Sequence, residues 1–158
     1  WGLKTVDIRG TSAITIASSA FATCKSLMSV NIETDGGDGN LYSSAFRNCE
    51  NLSNVSIVTH SGYSTAIYAN AFKGANFDVL SLRKPMIYSS GLSGCKVREL
   101  HIYDGGILRD YACASISELT TVAYLPTSYS GGSIRTAFRG CTNLISFYLF
   151  AESLTFYA

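Results

Sequence analysis

Cysteine and histidine are the residues of this 158-residue chain whose side chains are suited to metal binding or catalysis. Four of the five cysteines stand at one place in a recurring pattern: Cys24, Cys49, Cys95 and Cys141. No pair has the C-x-x-C spacing of zinc sites. Thiols in stacked repeats would have parallel Cβ vectors, which suits a disulfide badly. We therefore expect buried, reduced thiols and no metal site.

The two histidines do not match a catalytic family. Neither His60 nor His101 has an acid or nucleophile at a diagnostic spacing, and the chain contains no G-x-S-x-G, H-E-x-x-H or P-loop motif. The serine in "HSGYS" at 60–64 is interpreted as a chance neighbour in a polar loop. His101 lies between Leu100 and Ile102, so strand alternation points it outward. We expect solvated histidines and no enzyme activity.

The stretch "TDGGDGN" at 34–40 has the composition of a calcium loop. The ligand spacing of an EF-hand is not met. A β-roll pattern would need an aspartate where Leu41 stands. Glycine's role in turns instead predicts a flexible hairpin-like loop, so we expect no metal and no cofactor.

Composition excludes several other classes of protein. Hydrophobic residues make up 47% of the chain and charged residues 15%, which is typical of an ordered domain. A net charge of +1 gives no field to attract nucleic acid. No apolar run reaches the length of a membrane span. The chain begins at Trp1 without a methionine or signal pattern, so we interpret it as a fragment of a longer precursor.

One sequence pattern recurs along the chain. "SSAFATCKSLMSVNI" at 18–32 returns as "SSAFRNCENLSNVSI" at 43–57 and as "RTAFRGCTNLISFYL" at 135–149. Weaker units lie between them, and two of those units lack one residue. Stacking such units buries apolar faces that no single unit can bury. We predict one domain, 1–158, made of a half unit at 1–8, six units ending near 32, 57, 82, 102, 124 and 149, and a remnant at 150–158.

Each unit predicts two local structures. Ser19 and Ser44 precede "AF" as N-cap types, so "SAFxxC" predicts a capped helical turn. The series Leu27, Val30, Ile32 predicts a strand with inward apolar residues. Parallel strands are expected near 3–8, 27–32, 52–57, 77–82, 97–102, 119–124 and 144–149, in one array of about 29 Å. Segments such as "AITI" and "NLYS" predict a second short strand.

The series A-F-x-x-C-x-x-L-x-x-V-x-I resembles the BspA-type class of leucine-rich repeats, over roughly residues 3–157. The resemblance implies a β-rich solenoid, a right-handed coil with a parallel concave sheet and short helical turns or loops on the convex side. It also implies a role at the surface of bacteria or protists, in adhesion or host-protein binding. The expected location is therefore extracellular or at the cell surface.

The strand register predicts which side chains reach the concave surface. Neighbours of inward residues must point outward, and aromatic and charged types gather in the second half: Arg83, Glu99, His101, Tyr103 and Tyr148. Tyrosine and arginine are enriched at binding hot spots. The leading hypothesis is a non-catalytic, monomeric module that binds an extracellular protein or a glycan there. The alternative is a structural spacer without a ligand, and the loops at 33–42, 58–68 and 125–134 are the second choice of binding site.

Overall fold

A computed structural model describes residues 2–60, 62–124 and 134–150 of the chain. They form a parallel β-solenoid of about six turns with almost no helix. A complete coil has three sides, namely a turn segment, a front strand and a shorter back strand. The front strands are β1 (Thr5–Gly10), β3 (Ser29–Thr34), β5 (Asn54–Thr59), β7 (Asn76–Arg83), β9 (Lys96–Tyr103), β11 (Thr121–Tyr124) and β12 (Ser146–Leu149). The back strands are β2 (Ile14–Ile16), β4 (Gly39–Leu41), β6 (Thr65–Ile67), β8 (Pro85–Ile87) and β10 (Ile107–Leu108).

Parallel ladders hold the front strands in the predicted register. Val30 lies opposite Val6 on one side and Val55 on the other. The back strands form one five-stranded sheet in the order β10-β8-β6-β4-β2, which includes the predicted "AITI" and "NLYS" segments. The core lies between the front and back strands, where Ile32, Leu41 and Phe46 are fully buried.

The capped helical turn predicted for "SAFxxC" is wrong. The turn segments at 18–23, 43–48, 69–74, 89–94 and 110–115 are successions of tight turns. Ser19 and Ser44 have φ of 60° and 61°, in the left-handed region, whereas an N-cap residue is extended. Within the described residues the only helix is α1 (Ile134–Ala137), and none is long and apolar enough to cross a membrane.

Amide groups in the turn segments alternate between two kinds of partner. Ala22 donates to the carbonyl of Ser19 at 3.0 Å, closing a local turn. Phe21 and Thr23 donate to Ala45 and Arg47 of the next coil at 2.9 and 2.7 Å. The turn segments therefore form a third ladder between coils, beside the front and back sheets.

Small residues before the aromatic position allow this close stacking. Ala45, Ala71 and Ala112 are fully buried there. In the coil that carries Gly91, a Cβ would lie 2.6 Å from Ile87 Cγ2 and 2.8 Å from the carbonyl oxygen of Ile67. Glycine is thus the residue that fits at that coil contact.

The predicted limits of the front strands need correction. The strands predicted at 3–8, 27–32 and 52–57 begin and end two residues later, and those predicted at 119–124 and 144–149 begin two residues later. Leu27 and Val30 both point inward but are separated by two residues, which a period-two strand cannot accommodate. In the two shortened coils the turn before the strand is missing. β7 and β9 therefore start directly after the turn segment and run for eight residues.

The front strands do not form the single array that was predicted. They form one sheet in the order β1-β3-β5 and another in the order β12-β11-β9-β7. We call the break between β5 and β7 the seam; it lies where a coil of full length meets the first shortened coil. The other two ladders continue across it, since β6 pairs with β8 and Asn48 donates to the carbonyl of Lys73 at 2.6 Å.

The loop at 34–40 is a corner between two sheets and not a hairpin, because β3 and β4 belong to different sheets. A Cβ on Gly36 would lie 2.5 Å from the Thr11 carbonyl oxygen, and one on Gly37 would lie 2.3 Å from the Ala13 nitrogen. The glycines therefore allow the corner to pack against the preceding coil. Asp38 Oδ1 accepts a hydrogen bond from the Ser64 amide at 2.8 Å, so this oxygen serves the next corner.

The five cysteines are core residues with free thiols. The Cys49 thiol donates to the carbonyl of Phe21 at 3.1 Å, and the Cys95 thiol donates to that of Leu92 at 2.8 Å. Burial raises the pKa of Cys49 to about 11 and that of Cys95 to about 12. Unfolding returns these thiols toward their ordinary pKa of 9.0. Their contribution to stability is therefore complete below pH 9 and is lost as the pH rises through 11 to 12.

The burial of the thiols predicts an order of alkylation. At pH 8 the half-buried Cys24 and Cys141 should react with iodoacetamide before the buried Cys49, Cys95 and Cys113. The raised pKa alone lowers the thiolate fraction of Cys49 by about 100-fold. Peptide mass mapping over time gives the rates, with urea-unfolded protein as the control. Equal rates in the folded protein, or a Cys24–Cys49 disulfide in non-reduced peptides, would contradict this arrangement.

The stacking contact can be tested at Ala45. Replacing Ala45 with leucine should lower the free energy of unfolding by about 1–3 kcal/mol, because the added atoms have no space between the coils. Ala123 is half-buried on the front sheet, so Ala123→Leu should cost less. Urea melts measure both variants. Equal midpoints would show that Ala45 is not at a tight coil contact.

Candidate functional site

The five predicted site residues all lie on the second front sheet. Arg83 ends β7 and is paired in register with Tyr103 at the end of β9. Glu99 and His101 lie on β9, and Tyr148 lies on β12. We call the solvent-exposed side of the two front sheets the concave face, as the leucine-rich-repeat coil implies.

Aromatic side chains on this face are open to solvent. Tyr103 is 38% exposed, Tyr148 is 53% exposed and Phe150 is 57% exposed. The rings of Tyr148 and Phe150 stack with their centroids 6.5 Å apart. Rigid strands thus present a two-ring apolar patch that the fold itself does not cover.

A groove of about 520 Å³ lies along the seam. Its lining consists of Val55, Ser56, Ile57, Val58, Ser81, Arg83, Tyr103 and Asp104. Four of these residues are consecutive in β5, so the main chain of that strand borders the groove together with its side chains. Arg83 and Tyr103 are thus the predicted residues at the groove, whereas Glu99, His101 and Tyr148 lie outside its lining.

The sheet separates the predicted residues into two groups. His101, Ala123 and Tyr148 occupy one row across β9, β11 and β12. Two strand spacings place His101 and Tyr148 roughly 10 Å apart along this row. Ala123 between them is small, so it leaves a recess. The Tyr148–Phe150 patch and the seam groove are therefore separate features of one surface.

Ion pairs lie along β7 and β9, one of them at the groove. Arg83 Nε donates to Asp104 Oδ2 at 2.5 Å, and Glu99 Oε2 lies 3.5 Å from His101 Nε2. Arg98 donates to both carboxylate oxygens of Asp78, at 2.6 and 3.2 Å. Arg98 thereby holds the pKa of Asp78 below its usual range. These pairs are solvent-exposed and contribute little to stability, so a partner can exchange them for its own groups.

Sequence reasoning missed Arg98 and Asp78. It assumed strict alternation along the strand, but Asp78 and Val79 are both exposed between the buried Phe77 and Leu80. Arg98 follows Val97 as Asp78 follows Phe77, so the two residues occupy equivalent repeat positions. An aspartate and an arginine at equivalent positions of adjacent units could have predicted this ion pair from the sequence.

A second group of polar side chains lies at the C-terminal ends of β3 and β5, in the first front sheet. Glu33, Asp35 and His60 each offer one potential metal-ligand atom, and these atoms lie within 4.8 Å of one another. His60 was expected to be a solvated histidine, and it is indeed exposed, but Asp35 Oδ1 lies 3.1 Å from its Nε2. Asp35 and His60 also occupy equivalent places, one residue after the paired Thr34 and Thr59.

Comparison with known families identifies the same repeats that form the coils of this solenoid. The family described as the BspA type leucine rich repeat region matches residues 2–120 in six copies. Comparison with curated proteins and with solved structures gives no match in either set. The family match covers well over half of the 158 residues. The chain therefore belongs to the BspA-type leucine-rich repeat family.

Proposed function

We propose that this chain is a non-catalytic recognition module, secreted or displayed at a cell surface, that binds an extracellular protein through its concave face. A glycan is the second class of ligand for the same surface. Membership of a leucine-rich repeat family supports protein binding, and BspA-type repeats are generally found on surface or secreted proteins. The observation that carries the proposal is the set of exposed rings at Tyr103, Tyr148 and Phe150.

Exposed rings favour binding for an energetic reason. Leaving apolar area in water costs free energy, which a partner can recover by covering it. Tyr103 and Tyr148 are held on paired strands, so ordering them on binding costs little conformational entropy. Aromatic residues and arginine also dominate binding hot spots. Tyr103, Tyr148 and Arg83 are therefore the proposed anchors.

The seam groove supports a protein ligand more than a glycan. β5 is not paired with β7, so main-chain groups of β5 border the groove without a strand partner on that side. β5 and β7 lie too close together for another strand to enter between them, so a protein ligand would reach the groove with its side chains. Arg83 and Asp104 at the groove offer one charge of each sign to the side chains of that polypeptide.

A spacer without a ligand is the competing function. Repeats of a spacer should be interchangeable on their exposed faces. Here the outward row of the first sheet carries the polar residues Asp7, Asn31 and Ser56. The same row of the second sheet carries Ser81, His101, Ala123 and Tyr148, so two of its four residues have rings. This difference between the two sheets favours the recognition module.

The proposal is tested by a screen followed by substitutions. The purified chain is screened against immobilised extracellular-matrix proteins and a glycan array. Any ligand found should lose at least about 2 kcal/mol of binding free energy in the Tyr103→Ala, Tyr148→Ala double variant, the scale of a hot spot. Circular dichroism and a urea melt check that the variant folds.

Tyr63→Ala is the matched control, because Tyr63 is similarly exposed, at 39%, but lies between β5 and β6, in the segment 58–68 that was the second choice of binding site. It should bind with unchanged affinity. If Tyr63→Ala loses the ligand while the double variant binds normally, the loops are the binding site and the concave face is not. A screen that finds no ligand favours the spacer.

A further inference from the structure

Three side chains with metal-binding chemistry meet at the C-terminal ends of β3 and β5, in the first front sheet. Glu33 lies on β3, Asp35 follows the end of β3, and His60 follows the end of β5. His60 Nε2 lies 3.1 Å from Asp35 Oδ1 and 3.8 Å from Glu33 Oε1. We infer that this imidazole and these two carboxylates form a binding site for Zn²⁺ or a similar transition-metal ion.

The distances suit a zinc ion. Bonds from Zn²⁺ to nitrogen and oxygen are about 2.0–2.2 Å, so two tetrahedral ligands lie roughly 3.4 Å apart. The two separations from His60, 3.1 and 3.8 Å, lie on either side of that value, and the three ligand atoms lie within 4.8 Å of one another. All three side chains are solvent-accessible, with 51%, 63% and 37% of the side chain exposed for His60, Asp35 and Glu33. An ion can therefore reach the site directly from solvent.

The backbone fixes the positions from which these ligands extend. The Asp35 amide donates to the Gly10 carbonyl at 3.0 Å, and the His60 amide donates to the Thr34 carbonyl at 3.1 Å. Glu33 is paired in register with Arg9 and with Val58 on either side. The main chain is therefore ordered in advance, and an ion has to order only the three side chains.

The two carboxylate oxygens of Glu33 face different partners. The guanidinium of Arg9 lies 3.6 Å from Glu33 Oε2, whereas Oε1 faces His60. By contacting Oε2, Arg9 orients the Glu33 carboxylate so that Oε1 is directed to the ion. Groups outside the ligand shell commonly orient metal ligands in this way. Arg9 also contacts Asp7 at 3.4 Å, which directs part of its charge away from the site.

The donor set selects the class of metal. Calcium requires six to eight oxygen ligands and magnesium prefers oxygen and water, so an imidazole favours zinc, cobalt or nickel. Two carboxylates balance the two charges of the ion. Three protein ligands leave a fourth position open to water or to a side chain of a partner. The site lies on the first front sheet and does not depend on the proposed function of the second.

The test is a metal titration of the whole chain. Isothermal titration with Zn²⁺ should show saturable binding of one ion, and Co²⁺ should give visible absorption bands of a low-symmetry site. His60→Gln and Asp35→Asn should each weaken Zn²⁺ binding by at least about tenfold, since one lacks the imidazole and the other lacks the carboxylate charge. Zn²⁺ should raise the melting temperature of the unaltered protein but not of His60→Gln.

His101→Gln is the matched control, because His101 faces Glu99 at 3.5 Å but belongs to no described cluster of three ligands. It should bind Zn²⁺ with unchanged affinity. Circular dichroism confirms folding, and Asp35→Asn provides an independent variant if His60→Gln is unstable. The proposal is overturned if the unaltered protein shows no saturable binding, if His60→Gln and Asp35→Asn bind as tightly as it does, or if His101→Gln alone loses the ion.

Discussion

Hydrogen bonding between successive coils is the constraint on which the rest of this structure depends. Except between β5 and β7 at the seam, the front strands, the back strands and the turn segments bond to the next coil, so one spacing must serve all three sides. Equivalent side chains then form columns, as in the stack of Phe21, Phe46 and Phe72, with centroids 5.3 and 5.6 Å apart. The sequence repeats because every coil must meet the same spacing with the same inward and small residues.

Much of the fold was accessible from the sequence. The inward series of Val30 and Ile32 was predicted correctly, and so was the buried place of Ala45. The turn segment was misread because serine and asparagine are typical N-cap residues, whereas in this chain they occupy left-handed backbone. Tyr111, which stands in the same place with φ of 61°, was the residue that argued against a cap. The seam was not predictable, because a missing residue does not reveal which strand pairing it disrupts.

The candidate surface was predictable only as far as strand alternation holds. It placed Arg83, His101 and Tyr148 on the exposed side, and the structure shows them there. It could not find the groove, whose lining depends on the distance between unpaired strands. Strand alternation also gave no reason to place His60 beside Asp35. The contact with Asp35 depends on two strands ending together, which becomes apparent only when equivalent repeat positions are compared.

The seam also determines where this coil can bend. The coils of β3 and β5 are joined by hydrogen bonds on three sides. On the front side the coils of β5 and β7 share no strand ladder, and a hydrogen bond from the Asn76 amide to the Leu52 carbonyl, at 3.2 Å, links them there. Opening the front side therefore breaks fewer hydrogen bonds between the coils of β5 and β7 than between those of β3 and β5. A change in the curvature of the concave face is thus less costly at the seam than at the neighbouring joint between β3 and β5.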